Sequence, residues 1–118
     1  MELLARKATI KAPAERFTGD VWLTMLTEAQ PPSQLTAGLV RFTPCSRTAR
    51  DGTVVVLRPG ETVFTPPGEW HWQGAALDHF MAHLGMQEGT GDPNAPAVEW
   101  GEHVTDDEYH AAAAQAAT

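Results

Sequence analysis

This 118-residue chain has one cysteine, one tyrosine and only eight lysines and arginines. One thiol closes no internal disulfide, so Cys45 reads as a small, partly buried residue. No neighbouring histidine or helix start marks it as a nucleophile. Eight cations face fifteen acids, for a formal net charge of -7. No Lys/Arg cluster breaks that balance, which argues against nucleic acid and anionic membrane surfaces as partners. No apolar run reaches spanning length, and residues 1–7 lack the apolar core of a signal peptide, so the expected compartment is the cytoplasm. There is no phosphate-cradling glycine loop, no Gly-x-Ser-x-Gly elbow and no internal repeat. Nor does a His-x-His pair occur anywhere.

What is present suits one small domain with one core. A 42% hydrophobic fraction suffices for a globule, and ten glycines with nine prolines favour many short elements over long helices. Residues 1–16 mix charged and small side chains and read as an edge strand or an arm, with Pro13 marking its end. Val21, Leu23 and Met25 alternate with Trp22, Thr24 and Leu26, which predicts a strand over residues 21–27 with two partly apolar faces. Gln30-Pro31-Pro32-Ser33 breaks it, a second strand runs over 35–42, and Thr43-Pro44-Cys45-Ser46 ends that one. Asp51-Gly52 reads as a hairpin turn, and residues 54–57, three valines and a leucine, as a β-branched strand.

The chain is organised around residues 57–75. Arg58-Pro59-Gly60-Glu61 predicts a tight turn, with proline fixing φ and glycine free to take a positive one. Residues 62–65 are a short β-prone strand, which Pro66-Pro67-Gly68 stops because proline cannot donate to a ladder. His71 follows between Trp70 and Trp72, where two large apolar side chains would displace water from the imidazole. A lone histidine so placed is either a metal ligand or a packed, hydrogen-bonded residue. Residues 77–88 also admit two readings. As a strand, His79, Met81, His83, Gly85 and Gln87 share one face; as a helix, Leu77, Phe80, Met81 and Leu84 form an apolar stripe, with His79 and His83 one turn apart as a two-histidine clasp. Residues 89–96 are a loop by composition. Thr105 and Glu108 form a capping-box pattern ahead of an alanine-rich terminal helix, with His103 and His110 on the solvated surface.

Gly60, then Pro66-x-Gly68 and His71, resembles the second signature motif of the cupin superfamily, although its closing asparagine is Ala75 here. Pro67-Gly68-Glu69, His71-Trp72, Gly74-Ala75, Met81-Ala82-His83-Leu84, Val98-Glu99-Trp100 and Glu102-His103-Val104-Thr105-Asp106 narrow the likeness to small single-domain bacterial cupins, among them the manganese-dependent hydroxynitrile lyases. It covers most of residues 17–109 and is most specific in its C-terminal half.

The resemblance implies an all-β jelly-roll barrel over residues 17–88, preceded by the arm at 1–16 and followed by loop and helix at 89–118. It selects the strand for 77–88. It implies His71 as a metal ligand, for manganese(II) or a similar divalent ion, with His83, Gln73 and Gln87 as catalytic or pocket residues facing a small-molecule substrate. Gln73 stands where the lyases carry another histidine; an amide there can hold a substrate but is no base near neutral pH. It also implies a segment that this chain lacks. After Arg47-Thr48-Ala49 the family continues into the His-x-His strand, whereas here Arg50-Asp51 follows at once. The shortfall is about two strands with their turns, on the order of 20 residues. Such a truncated barrel is expected to bind manganese weakly or not at all. It leaves sheet edges open, which predicts a homodimer. The expected function is that of a hydroxynitrile lyase-like metalloenzyme, inactive where ligands are missing; the alternative is a non-catalytic dimeric binding or structural module.

Overall fold

The computed structural model describes residues 1–48, 54–92 and 94–116. Among the described residues there are two antiparallel sheets and one helix. Strands β1 (Ile10–Lys11), β3 (Val21–Thr27), β4 (Leu35–Phe42) and β6 (Met81–Glu88) form a four-stranded sheet in that order, while β2 (Phe17–Thr18) and β5 (Arg47–Thr48) form the second. Helix α1 spans Asp106–Ala116.

The alternating sequence of β3 and β4 is realised as expected. Val21 pairs with Phe42 and Leu23 with Val40, and a bulge between Met25 and Thr27 ends the regular ladder. Val21 and Phe42 are buried with Ala12 and Ala75, and Phe17, Val40 and Met81 pack around them. That cluster sits between the sheets and is the core. Phe17 spans it, its ring 6.3 Å from Phe42 on one side and 5.7 Å from Trp100 on the other.

Residues 73–76 extend the smaller sheet without forming a full strand. Arg47 bridges Gly74, the Thr48 amide donates to the Gln73 carbonyl at 2.8 Å, and the Ala75 amide to the Ser46 carbonyl at 3.0 Å. Helix α1 is fastened to this unit. The Arg47 guanidinium donates to the Val104 carbonyl from Nε and Nη2, at 3.1 and 3.0 Å, and to the Asp106 carboxylate at 2.6 Å. The Tyr109 hydroxyl donates to the Ala75 carbonyl at 2.6 Å. The capping box forms: the Glu108 amide donates to Thr105 Oγ1 at 3.2 Å, and the Thr105 amide to Glu108 Oε2 at 3.4 Å.

Several expectations are corrected. Residues 54–57 and 62–65 belong to no strand, although both runs are β-prone. Their local turns do form: the Glu61 amide reaches the Arg58 carbonyl at 3.0 Å with Gly60 at φ +89, and the Glu69 amide reaches the Pro66 carbonyl at 3.3 Å with Gly68 at φ +83. A turn closes on its own atoms, but a strand needs a neighbour to bond with. Residues 81–88 form a strand, which removes the helical alternative, but the strand begins at Met81 rather than Leu77. Cys45 is exposed rather than partly buried, and it adopts a positive φ of 67. The hairpin expected at Asp51-Gly52 lies outside the described residues.

Candidate functional site

His83 is the best-placed candidate. Strand pairing sets it opposite Val40 on the face that carries Phe42 and Met81, and its ring stacks on Phe42 at 5.5 Å and 27°. Half-burial lowers its pKa from the ordinary 6.5, because the charged imidazolium loses water that nothing replaces. Near neutral pH His83 is therefore a neutral imidazole on an apolar plate, able to accept a proton. Gln87 lies four residues along the same face, in register with Thr36, and is exposed. At strand rise that separation is roughly 13 Å.

The remaining candidates do not join them in a closed shell. His71 is exposed, which corrects the expected imidazole sheltered between indoles. Trp70 beside it is 52% exposed, and the half-buried Trp72 turns away to pack on Tyr109, ring centroids 6.1 Å apart. Gln73 is held by its backbone, its amide donating to Thr48 Oγ1 at 2.9 Å. His79 precedes β6 and contacts the neighbouring Asp78 carboxylate at 2.7 Å, so the His79/His83 clasp does not form on a helix. His103 meets Thr18 Oγ1 at 2.8 Å on the surface, and His110 lies exposed against the Tyr109 ring.

The donor set decides how a divalent ion would fit. Among the described residues no group of three or more His, Cys, Asp and Glu side chains stands together as a metal site. Manganese takes about six hard donors, and even zinc takes three from protein. His71, with His83 or Gln87, does not supply them, so the described residues do not fit the ion.

Phe42, which flattens and desolvates His83, escaped the reading of the sequence. Its only signal was its parity with Val40 on β4, and that acquires meaning only once β6 is paired alongside. Tyr109 escaped too. Burial, with smaller contributions from Cys45, pushes its phenol up to about 12, and its hydroxyl holds the strand-like segment after His71 in place.

An incomplete antiparallel jelly roll with a proline-glycine turn ahead of His71 and a short C-terminal helix is the architecture of a truncated cupin barrel, and the chain belongs to the small cupins. Within them, it is 36% identical to the (R)-mandelonitrile lyase of Granulicella tundricola over 124 aligned positions, spanning 87% of this chain and 92% of that one. It is also similar to the crystal structure of a cupin-like protein from Thermotoga maritima, with a TM-score of 0.76, 28% identity, and coverage of 95% of this chain and 97% of the other. No family model matches the chain. A 118-residue chain cannot fill 124 positions: 87% of it is about 103 residues, so the lyase alone fills about 21. That agrees in size with the two strands expected to be missing.

Proposed function

We propose that this chain is a cupin of the hydroxynitrile lyase type that retains the pocket side of the chemistry without the donors for its metal. The likeness to (R)-mandelonitrile lyase supports the substrate class, an aromatic cyanohydrin. The observation that carries the reading is His83, neutral and stacked on Phe42. In cleavage, its unprotonated ring nitrogen would take the hydroxyl proton as the carbon–cyanide bond breaks. The electron pair leaves with cyanide, the carbonyl forms, and return of the proton releases hydrogen cyanide. Gln73 and Gln87 can orient the substrate through their amides but cannot serve as bases. No step is assigned to a metal, because the described residues do not assemble its coordination shell.

The test is benzaldehyde release from mandelonitrile, with and without manganese, beside metal analysis of protein purified without chelator. We expect release little above the uncatalysed rate, unchanged by manganese, with binding read as a shift in tryptophan fluorescence that weakens in His83→Gln. Manganese-dependent turnover with a near-stoichiometric ion overturns the metal part of this reading, and absence of mandelonitrile binding overturns the substrate part. A non-catalytic dimeric module is the second reading, favoured by the exposure of His71. Saturable binding with release no faster than in the absence of protein selects it.

A further inference from the structure

On the inner face of the β4–β6 pair, Gly38 faces Gly85, with the Val40–His83 pair on one side and the Thr36–Gln87 pair on the other. Two glycines thus meet between the two residues assigned to the substrate. Glycine inside a strand gives up the most backbone entropy and packs nothing, so its place there has a local cause: a bulge, a positive φ or a close approach. The β4–β6 register runs without a shift from Leu35–Glu88 to Phe42–Met81, and neither glycine has a positive φ. Close approach is what is left.

For Gly38 the approaching neighbour belongs to the chain. A Cβ there would stand 3.3 Å from both Leu23 Cδ1 and Met25 Sδ, tighter than ordinary contact, and the residue is buried. Leu23 and Met25 of β3 therefore cover that half of the strip. Gly85 differs. A Cβ on it would meet nothing closer than His83 Nε2 at 3.5 Å and His83 Cδ2 at 3.7 Å, both ordinary van der Waals distances, and the residue is half-buried. Alanine would fit there, so packing among the described residues does not account for the glycine. What it keeps clear is the edge of the imidazole that carries Nε2.

We propose that Gly85 is a specificity-determining residue: its bare backbone seats the substrate's aryl ring between His83 and Gln87, with the hydroxyl of the attached carbon at His83 Nε2. The inference rests on the proposed function for its ligand class, an aromatic cyanohydrin, and adds where the ring goes. His83 and Gln87 stand roughly 13 Å apart along the strand, which leaves room for a phenyl ring and its one-carbon substituent. A flat ring approaches bare backbone more closely than a branched chain does. The Met25 sulfur beside Gly38 suits an aromatic edge.

Nuclear magnetic resonance titration of the chain with benzamide, mandelonitrile and lactonitrile, following the His83 ring, tests it. Benzamide is a planar arene with no hydroxyl to deprotonate, and lactonitrile carries a methyl in place of the phenyl ring. We expect Gly85→Val to weaken benzamide and mandelonitrile about tenfold or more, because its side chain fills the seat, and to leave lactonitrile within about twofold. Gly85→Ala adds one methyl at ordinary contact distance, so it should keep the native far-ultraviolet circular dichroism and still weaken both arenes, by less than valine does. Mandelonitrile bound equally by the native chain and both variants overturns the seat and leaves the proposed function standing. Benzamide bound in a Gly85-dependent way, with no mandelonitrile binding, keeps the seat and overturns the substrate reading. An equal loss for lactonitrile overturns the placement of the ring, and a native chain that binds neither arene overturns the seat outright.

Discussion

His83 illustrates how one side chain's chemistry depends on neighbours far away in sequence. Its lowered pKa comes from burial beside Phe42, forty-one positions earlier in the chain. The sign of the linked stability change follows. In the unfolded chain the imidazole takes up its proton near the ordinary 6.5, whereas the folded chain resists until a lower pH. The unfolded state therefore binds more protons in that interval, and stability falls as pH drops below about 6.5 until the folded pKa is passed. Denaturant titrations at successive pH values should show this slope in the native chain and a shallower one in His83→Gln. Equal slopes in the two would remove burial as the cause. That His83 and Gln87 share one face was legible from the sequence once a strand was assumed; that Phe42 lies beneath His83 was not, because stacking follows from register.

Among the elements, β5 and α1 are joined by a single side chain. Arg47 is 5% exposed and carries both bonds to the Val104 carbonyl, while its partner Asp106 is 82% exposed. The guanidinium holds the Asp106 carboxyl below its usual range, but an exposed carboxylate is screened, so most of the value of the contact lies on the arginine side. Arg47→Met should cost about 2 to 3 kcal/mol by leaving a buried carbonyl unpaired, read from denaturant midpoints, and Asp106→Asn should cost clearly less. A result in the reverse order would place the stabilisation in the ion pair instead. The capping box at Thr105 and Glu108 was readable because it is local to four residues. The Arg47 latch was not, since it spans 57 positions.

At the scale of the molecule, the chain is looser than its length requires. The radius of gyration is 15.0 Å. A compact domain of this length is expected near roughly 13.5 Å. Exposed Val55, Val56, Leu57, Val63 and Phe64 lie in the two β-prone runs that form no strand. An absent neighbour accounts for the unpaired runs, since a strand with no ladder partner gains too little to order its backbone. Inserting, after Ala49, a His-x-His-bearing segment on the order of 20 residues, as the family resemblance implies, should pair these runs. We expect a higher thermal midpoint by calorimetry and a bound divalent ion by elemental mass spectrometry. No change in either would show that the gap does not cause the disorder of pairing.

The sequence by itself determined everything that short-range physics controls: the strands at 21–27 and 35–42, the turns at Gly60 and Gly68, the helix cap at Thr105, and the family likeness in the motif ending at His71. Only the tertiary structure decided that residues 54–57 and 62–65 stay unpaired, that His71 faces solvent while His83 is half-buried, and that Gly38 and Gly85 meet between His83 and Gln87. The reason is range. Turns and caps close on atoms a few residues away, whereas burial, ladder pairing and ligand sets require partners that distant segments must deliver.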